Sequence, residues 1–161
     1  MSEKPVVETK DRNGIKDAII SRKETSFDGP MVTLVNKGTA SASEILAGSL
    51  QDNERSILMG EQTYGKGLIQ SLKSLGEESG IAITVASYIT PKGSNIQGLG
   101  ITPDKLLDLR DATEYGSADD KWVRNAELFL DSLLEKEEEE EVSIQNIESS
   151  NEETNSQLAK N

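Results

Sequence analysis

The sequence predicts an α/β protein, and three consecutive stretches carry that prediction. Met31-Val-Thr-Leu-Val-Asn36 is a short apolar run rich in β-branched residues, the pattern of a buried strand. The period then changes, with Ala42, Ile45, Leu46 and Leu50 recurring at helical spacing up to an end near Asp52-Asn53. Ser56-Ile-Leu-Met59 returns to a strand-like run. Residues 31–59 therefore read as a strand–helix–strand unit, most economically a right-handed parallel crossover.

The remaining elements extend this unit with further β-strands and a C-terminal helix. Pro5 to Arg12 and Ala18 to Thr25 read as β-rich segments joined by a turn at Asn13-Gly14, a dipeptide that signals hairpins. Phe27-Asp28-Gly29-Pro30 breaks the chain before the first buried strand. Leu68 to Leu75 and Gly80 to Thr90 alternate as strands around the polar turn Gly76–Gly80, and Pro91-Lys92-Gly93 stops the second. Residues 94–120 look irregular. Trp122, Ala126, Phe129, Leu130, Leu133 and Leu134 then mark an amphipathic helix. From Glu135 the chain is a glutamate run followed by a Ser/Asn/Glu/Gln-rich stretch. Such a segment cannot bury enough apolar surface to offset chain entropy. One folded region over residues 1–134 and an acidic disordered tail over 135–161 are expected.

Composition removes several classes of function. A net charge of −12 argues against nucleic acid, because phosphate binding needs clustered lysine and arginine. With no cysteine and no histidine, disulfides, thiolate nucleophiles and the usual zinc sites are excluded. No run approaches the roughly 18 apolar residues of a membrane span. Met1-Ser2-Glu3-Lys4 leads into polar sequence, so no export signal is expected in this chain.

The absence of histidine also constrains any serine chemistry, since the common proton acceptor is missing. A lysine can replace it where its surroundings hold it neutral. Ser41 stands at the predicted strand-to-helix junction, where Ser41-Ala-Ser-Glu44 spells a capping box. The same placement exposes a hydroxyl beside free N–H groups and the positive end of the helix dipole, with the Ala42 N–H a natural oxyanion donor. Thr39 and Ser43 are competing hydroxyls, and spacing alone does not choose among the three. Lys66 lies between Gly65 and Gly67, and Gln70 follows four residues later on the same side of a strand or helix, where its amide oxygen can orient the lysine amine. Gly60 to Lys66 also spells most of a phosphate-binding loop, but Gly67 stands where the motif needs Ser or Thr.

Taken together, these segments resemble the carboxyl-terminal processing (tail-specific) serine peptidases. The likeness runs through Val35-Asn36-Lys37-Gly38-Thr39-Ala40-Ser41-Ala42-Ser43-Glu44-Ile45, Ala47-Gly48 and Leu50-Gln51-Asp52. It continues through Gly60-Glu61-Gln62-Thr63-Tyr64-Gly65-Lys66-Gly67 with Gln70, then Tyr88 to Gly93, and Ile96-Gln97-Gly98-Leu99-Gly100-Ile101-Thr102-Pro103-Asp104. The resemblance implies Ser41 as nucleophile, Lys66 as general base, Gln70 as the residue orienting the lysine, and the Ala42 N–H as one side of the oxyanion hole. No metal or cofactor is implied. Thr39 stands where many members carry serine, a departure that leaves the dyad untouched.

The implied fold is a fragment of the ClpP/crotonase-like α/β core, with residues 1–134 as the C-terminal part of a tail-specific peptidase catalytic domain. The implied activity is serine-type endoproteolysis of protein substrates near their C-termini. Family members also carry an export signal, a PDZ domain and an earlier half of the core that holds the second oxyanion donor; none is expected before Ser41. Loss of one such donor costs about 2.7–4 kcal/mol of transition-state stabilisation. The alternative is therefore a catalytically silent fragment acting as an interaction module. Protein or peptide substrates are the expected partners, with a separate N-terminal half or a second copy of the chain left open. Members act outside the cytoplasm, in the periplasm, cell envelope or thylakoid lumen, while the compartment of this chain stays open.

Overall fold

The computed structural model describes residues 3–22, 24–108, 110 and 115–158. The chain divides into two compact units, Met1–Ala126 and Glu127–Asn161. The first holds two sheets. β1 (Pro5–Asp11), β2 (Gly14–Ile20), β5 (Leu68–Ser74) and β6 (Gly80–Ile89) form a four-stranded sheet in the order β2-β1-β6-β5, with every neighbouring pair antiparallel. β3 (Val32–Val35), β4 (Ile57–Gly60) and β7 (Lys105–Leu106) form a parallel sheet in the order β3-β4-β7.

The strand–helix–strand unit is present as expected. α1 (Ala42–Asp52) connects β3 to β4, whose parallel register pairs Val32 with Ile57 and Val35 with Gly60. The core between these elements is Val35, Ala47, Leu58, Ile96 and Ile101, with Ile45 and Tyr88 packed against it. Leu58 is completely buried. Asp104 fastens β4 to α1: one carboxylate oxygen accepts the Leu58 N–H at 2.8 Å and the other accepts Gln51 Nε2 at 2.8 Å.

The hairpin closes one residue earlier than the sequence suggests. Asp11 pairs with Gly14, so Arg12 and Asn13 form the loop, and Asp11 Oδ1 accepts the Asn13 N–H at 2.7 Å. That short side-chain turn fixes the register. β2 then begins at Gly14 (φ +123°) and ends at Ile20, where the sequence placed a strand over Ala18–Thr25. Asp17 to Ile20 are exposed, so this half of the edge strand has no buried face to impose an apolar alternation. β7, inside the stretch expected to be irregular, is two residues long and too short to show a period.

α2 spans Lys121–Leu158. Asp120 caps its start, accepting the Trp122 N–H at 2.9 Å through Oδ1 and the Gly116 N–H at 2.6 Å through Oδ2. Trp122 is buried, donates Nε1–H to the Asp108 carbonyl at 3.1 Å and meets the Tyr115 ring edge-on at 6.1 Å. The helix continues past Glu135, where composition argues for a disordered tail. Glutamate is a good helix former, and a segment too polar for a core can still satisfy its own backbone as a helix.

Candidate active site

The site is built where β3 ends and α1 begins. Asn36 organises the turn between them: its side-chain oxygen accepts the Gly38 N–H at 2.8 Å, and its carbonyl accepts the Thr39 N–H at 2.9 Å. The Thr39 hydroxyl accepts the Asn36 N–H at 3.0 Å in return. Of the three hydroxyls the sequence left in competition, Thr39 is thus engaged in holding the turn. Ser43 is exposed in the first turn of α1. Ser41 is the residue before the helix, with φ +57° and ψ −119°. A side-chain-bearing residue held there costs of the order of 1–3 kcal/mol, which the surroundings must supply.

Glu44 supplies much of it. This side chain is completely buried, and its carboxylate accepts four hydrogen bonds. Oε2 takes the Ser41 N–H at 2.9 Å and the Lys66 N–H at 2.8 Å. Oε1 takes the Gly65 N–H at 2.6 Å and the Thr63 hydroxyl at 2.5 Å. Glu44, the third residue of α1 and partner of Ser41 in the capping box, therefore does more than close the helix. One of its oxygens binds the main chain of Ser41 and of Lys66 together. Bonds to an ionised acceptor are among the stronger ones, and burial raises their worth.

The lysine-bearing segment is braced from behind by Ile96–Ile101. Thr63 Oγ1 accepts the Ile101 N–H at 2.7 Å, the Gly98 N–H donates to the Gly65 carbonyl at 2.9 Å, and Gln97 Oε1 accepts the Gly67 N–H at 3.0 Å. The approach is close enough to require glycine. A Cβ on Gly65, whose φ is +87°, would lie 2.9 Å from the Gly100 nitrogen.

Exposure alternates from Gln62 onward: Thr63, Gly65 and Gly67 are buried, while Lys66, Leu68 and Gln70 face outward. Lys66 and Gln70 thus share a face, as a period of two requires, and both line one cavity of 530 Å³ with Ala40, Tyr64 and Gln97. Ser41 follows Ala40 in the chain and is not itself among the residues lining that cavity. Ala42 opens α1 and is exposed. Among the described residues no hydrogen bond joins the Ser41 hydroxyl to the Lys66 amine, or that amine to Gln70. The structure joins Ser41 and Lys66 through their main-chain N–H groups on one Glu44 oxygen and places Lys66 and Gln70 on one cavity wall.

Gly60–Lys66 does not have the arrangement of a phosphate-binding loop. The N–H groups of Gly65 and Lys66 that would cradle a phosphate donate to Glu44, and β5 rather than a helix follows. Thr63 and Gln97 stand in the matching stretches without a role that the sequence discloses, and Glu44 was legible only as part of a capping box. A signal existed for Glu44: it is in phase with the buried small residues Ala47 and Gly48, three and four positions on.

Comparison with known proteins agrees with this architecture. A model of Peptidase family S41 matches residues 1–107. The carboxyl-terminal-processing protease of Synechocystis sp. is 52% identical over 108 residues, covering 67% of this chain and 25% of that protein. The chloroplastic C-terminal processing peptidase of Tetradesmus obliquus is 52% identical over 100 residues, 61% of this chain and 21% of the relative. Among solved structures, the photosystem II D1 C-terminal processing protease superposes with a TM-score of 0.60 at 44% identity, over 67% of this chain and 28% of that one. A lipoprotein from Streptococcus agalactiae shares the fold at 18% identity, with a TM-score of 0.65. The chain spans about a quarter of the length of the curated relatives it matches. This chain belongs to Peptidase family S41.

Proposed function

We propose that the chain carries the nucleophile and base of a serine endopeptidase of the C-terminal processing type, within a fragment of a ClpP/crotonase-like core. Ser41 Oγ attacks the carbonyl carbon of a peptide bond, and its proton passes to Lys66 Nζ. The tetrahedral oxyanion is held in part by the Ala42 N–H at the positive end of α1. Lys66 returns the proton to the leaving amine as the C–N bond breaks. Water then hydrolyses the acyl-enzyme with the same amine as base. Gln70, on the lysine's own face, orients the amine. The observation that supports this most is the Glu44 oxygen shared by the Ser41 and Lys66 N–H groups at 2.9 and 2.8 Å.

The substrates in this reading are proteins or peptides, cut near their C-termini. The compartment is extracytoplasmic, in line with relatives named as chloroplastic processing peptidases. The second reading, an interaction fragment without catalysis, draws on the exposure of Lys66 and Gln70 and on the missing Ser41–Lys66 hydrogen bond.

A fluorophosphonate probe separates the two. The peptidase reading expects labelling that disappears in Ser41→Ala and Lys66→Ala and rises with pH, because only the neutral amine accepts a proton. Absence of labelling at every pH favours the silent fragment.

A further inference from the structure

The cavity beside Lys66 contains a second amide that the proposed dyad does not use, that of Gln97. Its orientation is fixed. The Gly67 N–H can donate only to an acceptor, and Gln97 Oε1 takes it at 3.0 Å. The Gln97 N–H donates to Asn95 Oδ1 at 3.0 Å. Gly67 is pressed so closely on this residue that a Cβ there would lie 2.5 Å from the Gln97 nitrogen. With Oε1 taken, the other end of the amide must be the donor. Nε2 has no acceptor among the described residues, and Gln97 is exposed where it lines the cavity with Ala40, Lys66 and Gln70.

We infer that Gln97 is a substrate-binding residue, whose Nε2 donates a hydrogen bond to a main-chain carbonyl of a peptide lying in this cavity. The inference rests on the peptidase reading above. A neutral amide donor matches a neutral acceptor, and every residue of an extended peptide offers one. Ala40, Leu68 and Tyr64 supply apolar wall beside it, suited to small apolar side chains. Because the amide is already immobilised by Gly67, binding a carbonyl costs little further side-chain entropy. The same side chain therefore braces the lysine segment through its oxygen and reads substrate backbone through its nitrogen.

The test uses the full chain carrying Ser41→Ala, so that binding is measured without cleavage. The probe is a fluorescein-labelled peptide of alanine and glycine, followed by anisotropy, made with a free C-terminal carboxylate and again with a C-terminal amide. Gln97→Glu keeps an oxygen for the Gly67 N–H and removes the donor. It should weaken binding of both peptides by about three- to tenfold, the worth of one hydrogen bond. Unchanged Trp122 fluorescence in Gln97→Glu confirms that a loss of binding is local. Equal affinity with and without the substitution overturns the proposal. So does a loss confined to the free-carboxylate peptide, or no binding by the Ser41→Ala chain itself. Fluorophosphonate labelling of the unsubstituted chain is read in parallel: its absence counts against the peptidase reading and leaves the binding comparison intact.

Discussion

Replacing Glu44 by glutamine leaves the shape of the site and removes half of its acceptors, and the structure fixes what that should cost. The amide keeps one oxygen and puts an NH₂ where the other stood. On the Oε2 side the NH₂ would face two fixed donors, the N–H groups of Ser41 and Lys66. On the Oε1 side it would face only one, the Gly65 N–H, because the Thr63 hydroxyl can rotate and accept instead. The amide should adopt the second orientation, leaving one buried N–H unsatisfied at about 1–3 kcal/mol. Glu44→Ala strands the donors of both sides and opens a cavity, so its loss should be larger still. Against a total stability of about 5–15 kcal/mol, both are large effects. Denaturant unfolding followed by the single tryptophan, Trp122, measures them directly. If both variants unfold within about 0.5 kcal/mol of the parent, the range of an ordinary surface substitution, the carboxylate is not the clamp described here.

Other perturbations follow from the same contacts. Gly100→Ala should detach the Ile96–Ile101 brace, since its φ is +70° and a Cβ would press into the Thr63 carbonyl; proteolysis should then cut this segment faster. Leu58→Ala removes a fully buried side chain and should cost about 2–5 kcal/mol in the same unfolding assay. Asp120 is held below the usual carboxylate range, foremost by the Gly116 N–H and also by those of Trp122 and Val123, against the opposing effect of burial. A depressed folded value means its contribution is complete above about pH 3.9, the ordinary aspartate value, and is lost as pH falls through the lower folded one. An acid titration of Trp122 fluorescence should show this step, and Asp120→Asn should remove it.

The strand–helix–strand unit was legible because Met31–Met59 switches period twice, and burial of β3, α1 and β4 against one core enforces those periods. β2 and β7 were not, since Asp17 to Ile20 of the first are exposed and the second spans two residues. Helix beyond Glu135 was hidden because composition reports the lack of a core and not the local preference of glutamate. At the site, Ser41, Lys66 and Gln70 were expected from the resemblance, since spacing alone left Thr39 and Ser43 in competition with Ser41. The link between the Ser41 and Lys66 segments was not legible, because it runs through the main-chain N–H groups of Ser41, Gly65 and Lys66, and those are the same in every sequence. Only the fold brings Glu44 to them.

Which hydroxyl reacts is the most direct test of the proposed Ser41–Lys66 pair. After fluorophosphonate treatment of the full chain at alkaline pH, mass mapping of the peptides should find a single adduct, on Ser41, and none when Lys66 is alanine. An adduct on Thr39 or Ser43, or undiminished labelling of Ser41 in Lys66→Ala, would contradict it.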